Sequence, residues 1–338
     1  MHRPDESRLP LSAAGTYNAH PANTQQNMRL ILAPMEGIAD HSLRDILTRL
    51  GGIDLCVAEF VRVTGHLLTK RTFLNTVPEL ANGGCTRAGV PVRVQLLGSD
   101  PVCLAENAAL AASLGAPGID LNFGCPAPLV NRHGGGAVLL QFPEQIHAIV
   151  AATRRAVPKH IPVTAKMRLG LADTSRALDC ARAIEAGGAN EITVHARTRD
   201  DRYRPPARWE WLAHIRETVQ LPVVANGEVW SPQDYQNIRL QSGCTDVMIG
   251  RGAIIRPDLM RRIKTGDEAM PWPQLHHWII DYYAQLQLRM DPRHTPGLLK
   301  KWLGMMRTAY PEAETLHRML RTERDPCVIG KMLEASQT

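Results

Sequence analysis

The sequence predicts an α/β fold, a TIM (β/α)8 barrel with a C-terminal helical domain, and three observations lead there. Eight short apolar runs recur between residues 30 and 249, stretches of helical spacing separate them, and after Gly266 the strand pattern stops. Strands of a parallel sheet read as near-continuous apolar runs because helices cover them. Eight such units in roughly 230 residues suit a closed barrel. A doubly wound open sheet is the runner-up, but no GxGxxG follows the first run.

The runs lie at 30–33, 55–58, 92–96, 118–121, 162–166, 191–195, 222–225 and 246–249. Asp40 is placed to cap a helix that buries Leu43, Ile46, Leu47 and Leu50 and stops at Gly51-Gly52. A carboxylate there satisfies first-turn N–H groups, and glycine accepts the backbone that ends a helix. Pro101 starts a helix ending at Gly115, and Ser231-Pro232 opens one that reaches Leu240 and closes near Gly243. Residues 1–27 are polar and aperiodic, which predicts a disordered tail; alternatively, Met28 is the initiator. Residues 28–266 then form the barrel domain. Residues 267–338 hold only helical stretches, such as 272–289 and 298–307. Nine Lys or Arg residues lie between Arg289 and Lys331, interleaved with Trp302 and Tyr310. They form either a solvated face on a structural cap or a face for RNA.

Composition narrows the class. A hydrophobic content of 44% over 338 residues supports a large core, and a net charge of +6 favours an anionic partner without requiring one. Seven scattered cysteines with no CxxC pair argue against a disulfide framework and a zinc cage, and for a reducing compartment. No apolar run reaches the roughly 20 residues of a membrane span, and the N-terminus has no apolar signal core. A cytoplasmic, metal-free, monomeric enzyme is the expectation.

Barrel enzymes work at the C-terminal ends of their strands. Here those ends read Pro34-Met35-Glu36-Gly37, Glu59 leading to Arg62, Gln95, Asn122 with Cys125, Lys166-Met167-Arg168, His195-Ala196-Arg197-Thr198, Asn226-Gly227-Glu228 and Gly250-Arg251-Gly252. Polar groups at all eight ends exceed what a core demands. Cys125 sits between Gly124 and Pro126; the proline biases it to extended backbone and the glycine admits a close neighbour. It is a proton donor or nucleophile, or else an inert half-buried cysteine.

The last two ends place glycines and N–H groups where barrels hold a phosphate, with a helix expected from Ala253 and a forked donor in Arg251. A tight turn needing glycine is the alternative. Lys166 and His195 read as level with one another on neighbouring strands, donors for a ligand edge that becomes anionic on reduction. A phosphate site, ring donors and a thiol suit a phosphorylated ring cofactor, with FMN the natural candidate. His133-Gly134-Gly135-Gly136 has the look of an esterase oxyanion loop, but no GxSxG occurs; its glycines are expected to let the loop after Cys125 move.

The segments LAPMEG (32–37), VQLLG (94–98), D-x-N-x-G-C-P (120–126), GGGA-x-LL (134–140), KMR (166–168), HART (195–198), ANGE (225–228) and IGRGA (249–253) resemble the tRNA-dihydrouridine synthases. The resemblance covers most of residues 28–325, and AEFVRVT (58–64) with MPWP (270–273) is most similar to the C-type bacterial branch, which acts on uridine 16 of the D-loop. It implies FMN-dependent reduction of the uracil 5,6 double bond in tRNA, with NADPH as reductant and Cys125 as the general acid. It implies flavin contacts at Pro34, Met35, Glu36, Gln95, Lys166 and His195, and phosphate contacts at Asn226, Gly227, Glu228, Gly250 and Arg251. Asn122, Arg168 and Tyr203 match residues that hold the flipped uridine, and Arg62, Lys300 and Arg321 fall at tRNA contacts. The residues alone leave open a barrel oxidoreductase acting on a free small molecule, or a synthase for another D-loop position.

Overall fold

The computed structural model describes residues 28–336. The tail expected at 1–27 lies outside the described residues.

Nine strands carry the eight runs. They are β1 (Leu30–Leu32), β2 (Leu55–Val57), β3 (Val61–Arg62), β4 (Val92–Leu97), β5 (Ile119–Phe123), β6 (Val163–Arg168), β7 (Glu191–His195), β8 (Val223–Asn226) and β9 (Val247–Ile249). All pair in parallel, in the ring order β2, β1, β9, β8, β7, β6, β5, β4. The Cys56–Val92 pairing of β2 with β4 closes that ring into an eight-strand barrel. The two-residue β3 continues the second stave, with Val61 opposite Leu96. The expected barrel is therefore the one observed.

The first helices, α1 (His41–Leu50), α2 (Lys70–Thr76) and α3 (Pro101–Ser113), follow the caps the sequence provides. Asp40 accepts from the Leu43 N–H at 2.8 Å, and Asp100, not singled out from sequence, caps α3. Behind β5 come α4 (Pro128–Arg132) and α5 (Pro143–Ala156), then α6 (Ala177–Ala186), α7 (Glu210–Thr218) and α8 (Pro232–Ser242). Ser231 caps α8 and Gly243, at φ 67°, ends it. Two short helices, α9 (Arg251–Ile255) and α10 (Leu259–Thr265), complete the barrel, so the helix after β9 begins two residues before the expected Ala253.

Beyond Gly266 the described residues hold α11 (Trp272–Arg289), α12 (Thr295–Met306), α13 (Pro311–Leu320) and α14 (Pro326–Ala335). α12 begins three residues earlier than its apolar spacing suggested, because Pro296 fits the first turn of a helix. This part packs on the barrel through Trp302, which is buried, meets Tyr282 edge-on at 4.9 Å and donates to the Ile254 carbonyl at 3.1 Å.

Strand side chains alternate between faces, so each run divides between two environments. Leu30, Leu32, Val94, Leu96, Leu121, Ala165, Met167, Val194 and Ile249 belong to the large core shared with the helices. Ile31, Ala33, Leu55, Val57, Val224 and Met248 form a separate small cluster inside the ring. Other inward positions, among them Arg93, Gln95, Asp120, Asn122, Thr164 and Lys166, are polar. Across the N-terminal end of the barrel, buried Glu191 accepts from Arg93 at 2.5 Å and also from Arg29, and Arg29 reaches Asp246 at 2.9 Å. Gly118 makes room for that plug, since a Cβ there would sit 2.9 Å from Arg93 Cγ.

Candidate active site

The C-terminal mouth opens into a cavity of about 1110 Å³. That is at the upper end of the roughly 300–1,000 Å³ usual for small-molecule sites. Pro34, Met35, Glu36, Gln95, Asn122, Cys125, Lys166, Arg168, His195, Tyr203, Asn226, Gly227, Glu228, Gly250 and Arg251 all line it. Arg62, Lys300 and Arg321 do not. Lys300 donates to the backbone carbonyls of Arg321 and Glu323, which ties it to the end of α13. The helical part reaches the mouth through Met305, in the cavity wall, and Lys301, which donates to the Gly37 carbonyl.

Parallel register sets the heights of the inward groups. Lys166 pairs with Asn122 on one side and Thr193 on the other, whereas His195 pairs with Arg168 and Asn226. His195 is thus one inward step above Lys166, not level with it. Lys166 Nζ donates to Asn226 Oδ1 at 3.0 Å, and Asn226 Nδ2 donates to the Met248 carbonyl at 2.8 Å. Burial, helped by the charge of Arg168, pushes the Lys166 pKa down to about 8. Burial and the neighbouring Arg168, Lys166, Arg197 and Arg251 hold His195 well below the usual imidazole range, so it is neutral. Arg197 Nη1 lies 3.3 Å from His195 Nε2. A guanidinium only donates, so Nε2 accepts and the ring proton is on Nδ1.

At the end of β5, Asn122 Oδ1 accepts from the N–H groups of Gly124 at 3.0 Å and Cys125 at 2.9 Å. Its Nδ2 donates to Gln95 Oε1 at 2.8 Å, leaving one N–H for a ligand. Burial raises the Cys125 thiol above its ordinary pKa despite the Ala127 N–H, and Glu36 pushes the same way. Cys125 therefore carries its proton at neutral pH. Gly136, at φ 65°, is explained by space more directly than by motion: a Cβ there would lie 2.8 Å from the Cys125 carbonyl oxygen.

Arg168 spends three donors on the carbonyls of Gly124, Thr198 and Arg202, clamping the Cys125 loop to the loop after β7. Glu228, at φ 61°, accepts from Arg197 at 2.7 Å and from the Ala207 N–H. Its carboxylate is thus committed to that loop. Arg251 stacks between two rings, 4.4 Å from the Tyr203 centroid and 4.9 Å from that of Trp230. Burial lowers its pKa, yet a guanidinium stays charged across the working range.

From sequence, Asp120, Thr164 and Trp230 are not singled out, and Arg197 is noted only as one of the polar groups at the strand ends. Asp120 and Thr164 stand two residues before Asn122 and Lys166 on the same strands, so counting back by two along each strand end would have found them. Arg197 and Trp230 lie in loops, where no period points inward.

Hydrogen-bonding groups of fixed polarity, set at successive strand ends around one large cavity, define a barrel enzyme whose mouth is the reaction chamber. Comparison narrows the class. The chain belongs to the dihydrouridine synthase (Dus) family, whose sequence model matches residues 31–298, and it is accordingly an oxidoreductase. It is 54% identical over 314 residues to the tRNA-dihydrouridine(16) synthase of Aquipseudomonas alcaligenes, covering 91% of this chain and 100% of that one. The enzyme of the same name from Pseudomonas putida is 52% identical over 311 residues, covering 90% and 96%. The one from Ralstonia nicotianae is 53% identical over 310 residues, covering 90% and 95%.

Proposed function

We propose that this protein reduces the 5,6 double bond of uridine 16 in the tRNA D-loop to dihydrouridine, with bound FMN and with NADPH as electron source. One observation carries the reading: the protonated thiol of Cys125 shares a cavity with the buried donors Lys166 and His195. The names of the relatives supply the substrate class.

The residues present fit a phosphorylated ring. Lys166 Nζ and the Nδ1–H of neutral His195 are donors suited to a ring edge that gains negative charge. Pro34, Met35, Glu36 and Gln95 wall the same space. Gly227 and Gly250 leave backbone accessible, Arg251 adds a guanidinium, and Asn226 and Glu228 hold this rim in shape. When bound, FMN supplies the hydride that reaches C6 of the base.

The chain's own residues do the rest. Cys125 delivers its proton to C5 as the C5–H bond forms, leaving a thiolate. A raised pKa means that thiolate regains a proton from water readily at neutral pH. A uridine inside folded tRNA reaches the mouth only when extruded from its stack. Tyr203, half exposed at the rim beside Arg168, offers a face for that base, and the remaining Asn122 N–H meets a ring carbonyl. We assign residues 28–266 to this chemistry and 267–338 to tRNA, with Arg62, Lys300 and Arg321 among the contacts to the nucleic acid. The protein is taken to act as a monomer in the cytoplasm; among the described residues no helix is long and apolar enough to cross a membrane.

Replacing Cys125 with Ala tests the assignment. Turnover should fall by about 10²-fold or more, as loss of a general acid does, while FMN and tRNA still bind. Full dihydrouridine formation by Cys125→Ala, measured by mass spectrometry of digested tRNA, refutes the acid role. Absence of tRNA binding by the wild-type chain at low salt refutes the substrate.

A further inference from the structure

Below the mouth a line of buried polar side chains runs inward from the Cys125 loop. Asn122 Nδ2 donates to Gln95 Oε1 at 2.8 Å, Gln95 Nε2 donates to Asp120 Oδ2 at 2.7 Å, and Thr164 Oγ1 donates to Asp120 Oδ1 at 2.5 Å. Gln95, Asp120 and Thr164 are each at most 1% exposed. Polarity along this line is determined from both ends. At the top, Asn122 Oδ1 takes two backbone N–H groups, which can only donate, so the atom facing them is oxygen. At the bottom, burial raises the Asp120 pKa while Thr164, Gln95, Arg93 and Lys166 favour its charged form; ionised, it only accepts, so Gln95 turns its NH2 group down. Turning over either amide alone sets donor against donor or acceptor against acceptor in a buried place, where an unmade hydrogen bond is costly.

We propose that Asp120 is a positioning residue for Cys125, acting through Gln95 and Asn122. The carboxylate holds Gln95 in one orientation, Gln95 holds the Asn122 amide, and Asn122 pins the backbone N–H of the very residue that carries the thiol. The inference rests on the reading of Cys125 as the acid, and it adds to it the part that sets where the acid stands. Thr164 is the partner that makes Asp120 indispensable or replaceable.

Hydrogen-bond logic yields a pattern that space-filling does not. In Asp120→Asn, the new amide can keep its oxygen toward Gln95 and turn its NH2 to Thr164, whose hydroxyl then accepts. In Thr164→Val, the carboxylate loses one donor but still accepts from Gln95. Both changes nearly conserve volume. Combined, they leave the NH2 of the introduced amide without its hydroxyl acceptor, and Gln95 is then held from the Asn122 side alone.

The experiment is a double-mutant cycle on the full chain with two readouts. In the first, thermal unfolding of the cofactor-free protein, the double variant should lose more than the two single losses together. In the second, tRNA reduction at saturating FMN, its kcat should fall at least tenfold beyond the product of the single effects, with KM for tRNA unchanged. Additive unfolding losses would overturn the relay itself. Coupled unfolding with additive kcat effects would overturn its role in positioning Cys125, and a change confined to KM would do the same. The unfolding readout needs no substrate, so a failure of the tRNA reading appears separately, as a wild-type chain that reduces no tRNA while the unfolding cycle still decides the relay.

Discussion

Lys166 shows how closely the barrel controls one side chain. It is an amine in a place too dry to charge fully, kept useful by Asn226 Oδ1 at 3.0 Å. With its pKa pushed down to about 8 by burial and then Arg168, it is protonated below that pH and neutral above. FMN affinity of the empty protein should therefore fall as pH rises through about 8, by the few-fold that one charge-assisted hydrogen bond is worth. Lys166→Met should bind more weakly at pH 7 and lose that limb, as followed by flavin fluorescence quenching. A limb that persists in Lys166→Met would assign it to another group. His195 contributes no such limb at neutral pH, because burial and its cationic neighbours keep it neutral. The residue types at these strand ends were readable in advance; their protonation states were not, because those arise from burial and from charges distant in sequence.

At the level of elements, the turn after β8 and the start of α9 must touch for the mouth to have its shape. Gly252 makes that contact possible: a Cβ there would lie 2.0 Å from the Val229 carbonyl oxygen. Its backbone is not left-handed, so the demand is one of space. Gly252→Ala should push α9 off the 226–230 turn and pull Arg251 from between Tyr203 and Trp230. We expect a loss of about 1–3 kcal/mol, as overpacking costs, together with weaker FMN binding. Calorimetry with and without FMN measures both, and an unchanged melting temperature would contradict the contact. On sequence alone the glycines here suit a phosphate or a turn; helix-against-turn packing is a third reason, visible only once both elements are placed. Capped helices were simpler to foresee, because Asp40 and Ser231 act on N–H groups within three residues of themselves.

Across the whole molecule the chemistry at the mouth depends on a closed ring, and the opposite end is closed by charge. Glu191 on β7 draws together Arg93 of β4 and Arg29 at the start of β1, and Arg29 reaches Asp246 before β9. Burial alone would raise the Glu191 pKa, but Arg93 and Arg29 outweigh it and hold it below the usual carboxylate range. A carboxyl whose folded pKa is depressed contributes stability that is complete above its unfolded pKa. That contribution is lost as pH falls through the folded value, here below the ordinary 4.5. Glu191→Gln should cost about 3 kcal/mol at pH 7, near the low end for breaking a buried pair because Arg29 is partly exposed. It should also flatten the acid limb, as seen by chemical denaturation from pH 7 down to pH 3. Equal acid sensitivity in both proteins would show the plug is not where protons act. On the substrate side, the reading of a basic helical part predicts tRNA affinity that falls steeply with salt, since cations that meet phosphates release counterions. A flat response between 50 and 200 mM salt in a filter-binding assay would remove backbone contacts from the account.

Amino-acid order was enough to read eight staves, the helices between them and a mouth rich in polar groups. Those features rest on local rules: capping within a turn, apolar runs as long as a strand, and chain direction, which says where each strand ends. Side-chain heights and hydrogen-bond orientations inside the ring needed the folded barrel. The register that raises His195 one step above Lys166, the line from Thr164 through Asp120 to Asn122, and the plug around Glu191 all join residues tens to hundreds of positions apart. Hydrogen bonds act over about 3 Å, so which way an amide points or whether an amine keeps its proton depends on neighbours that only closure of the barrel brings together.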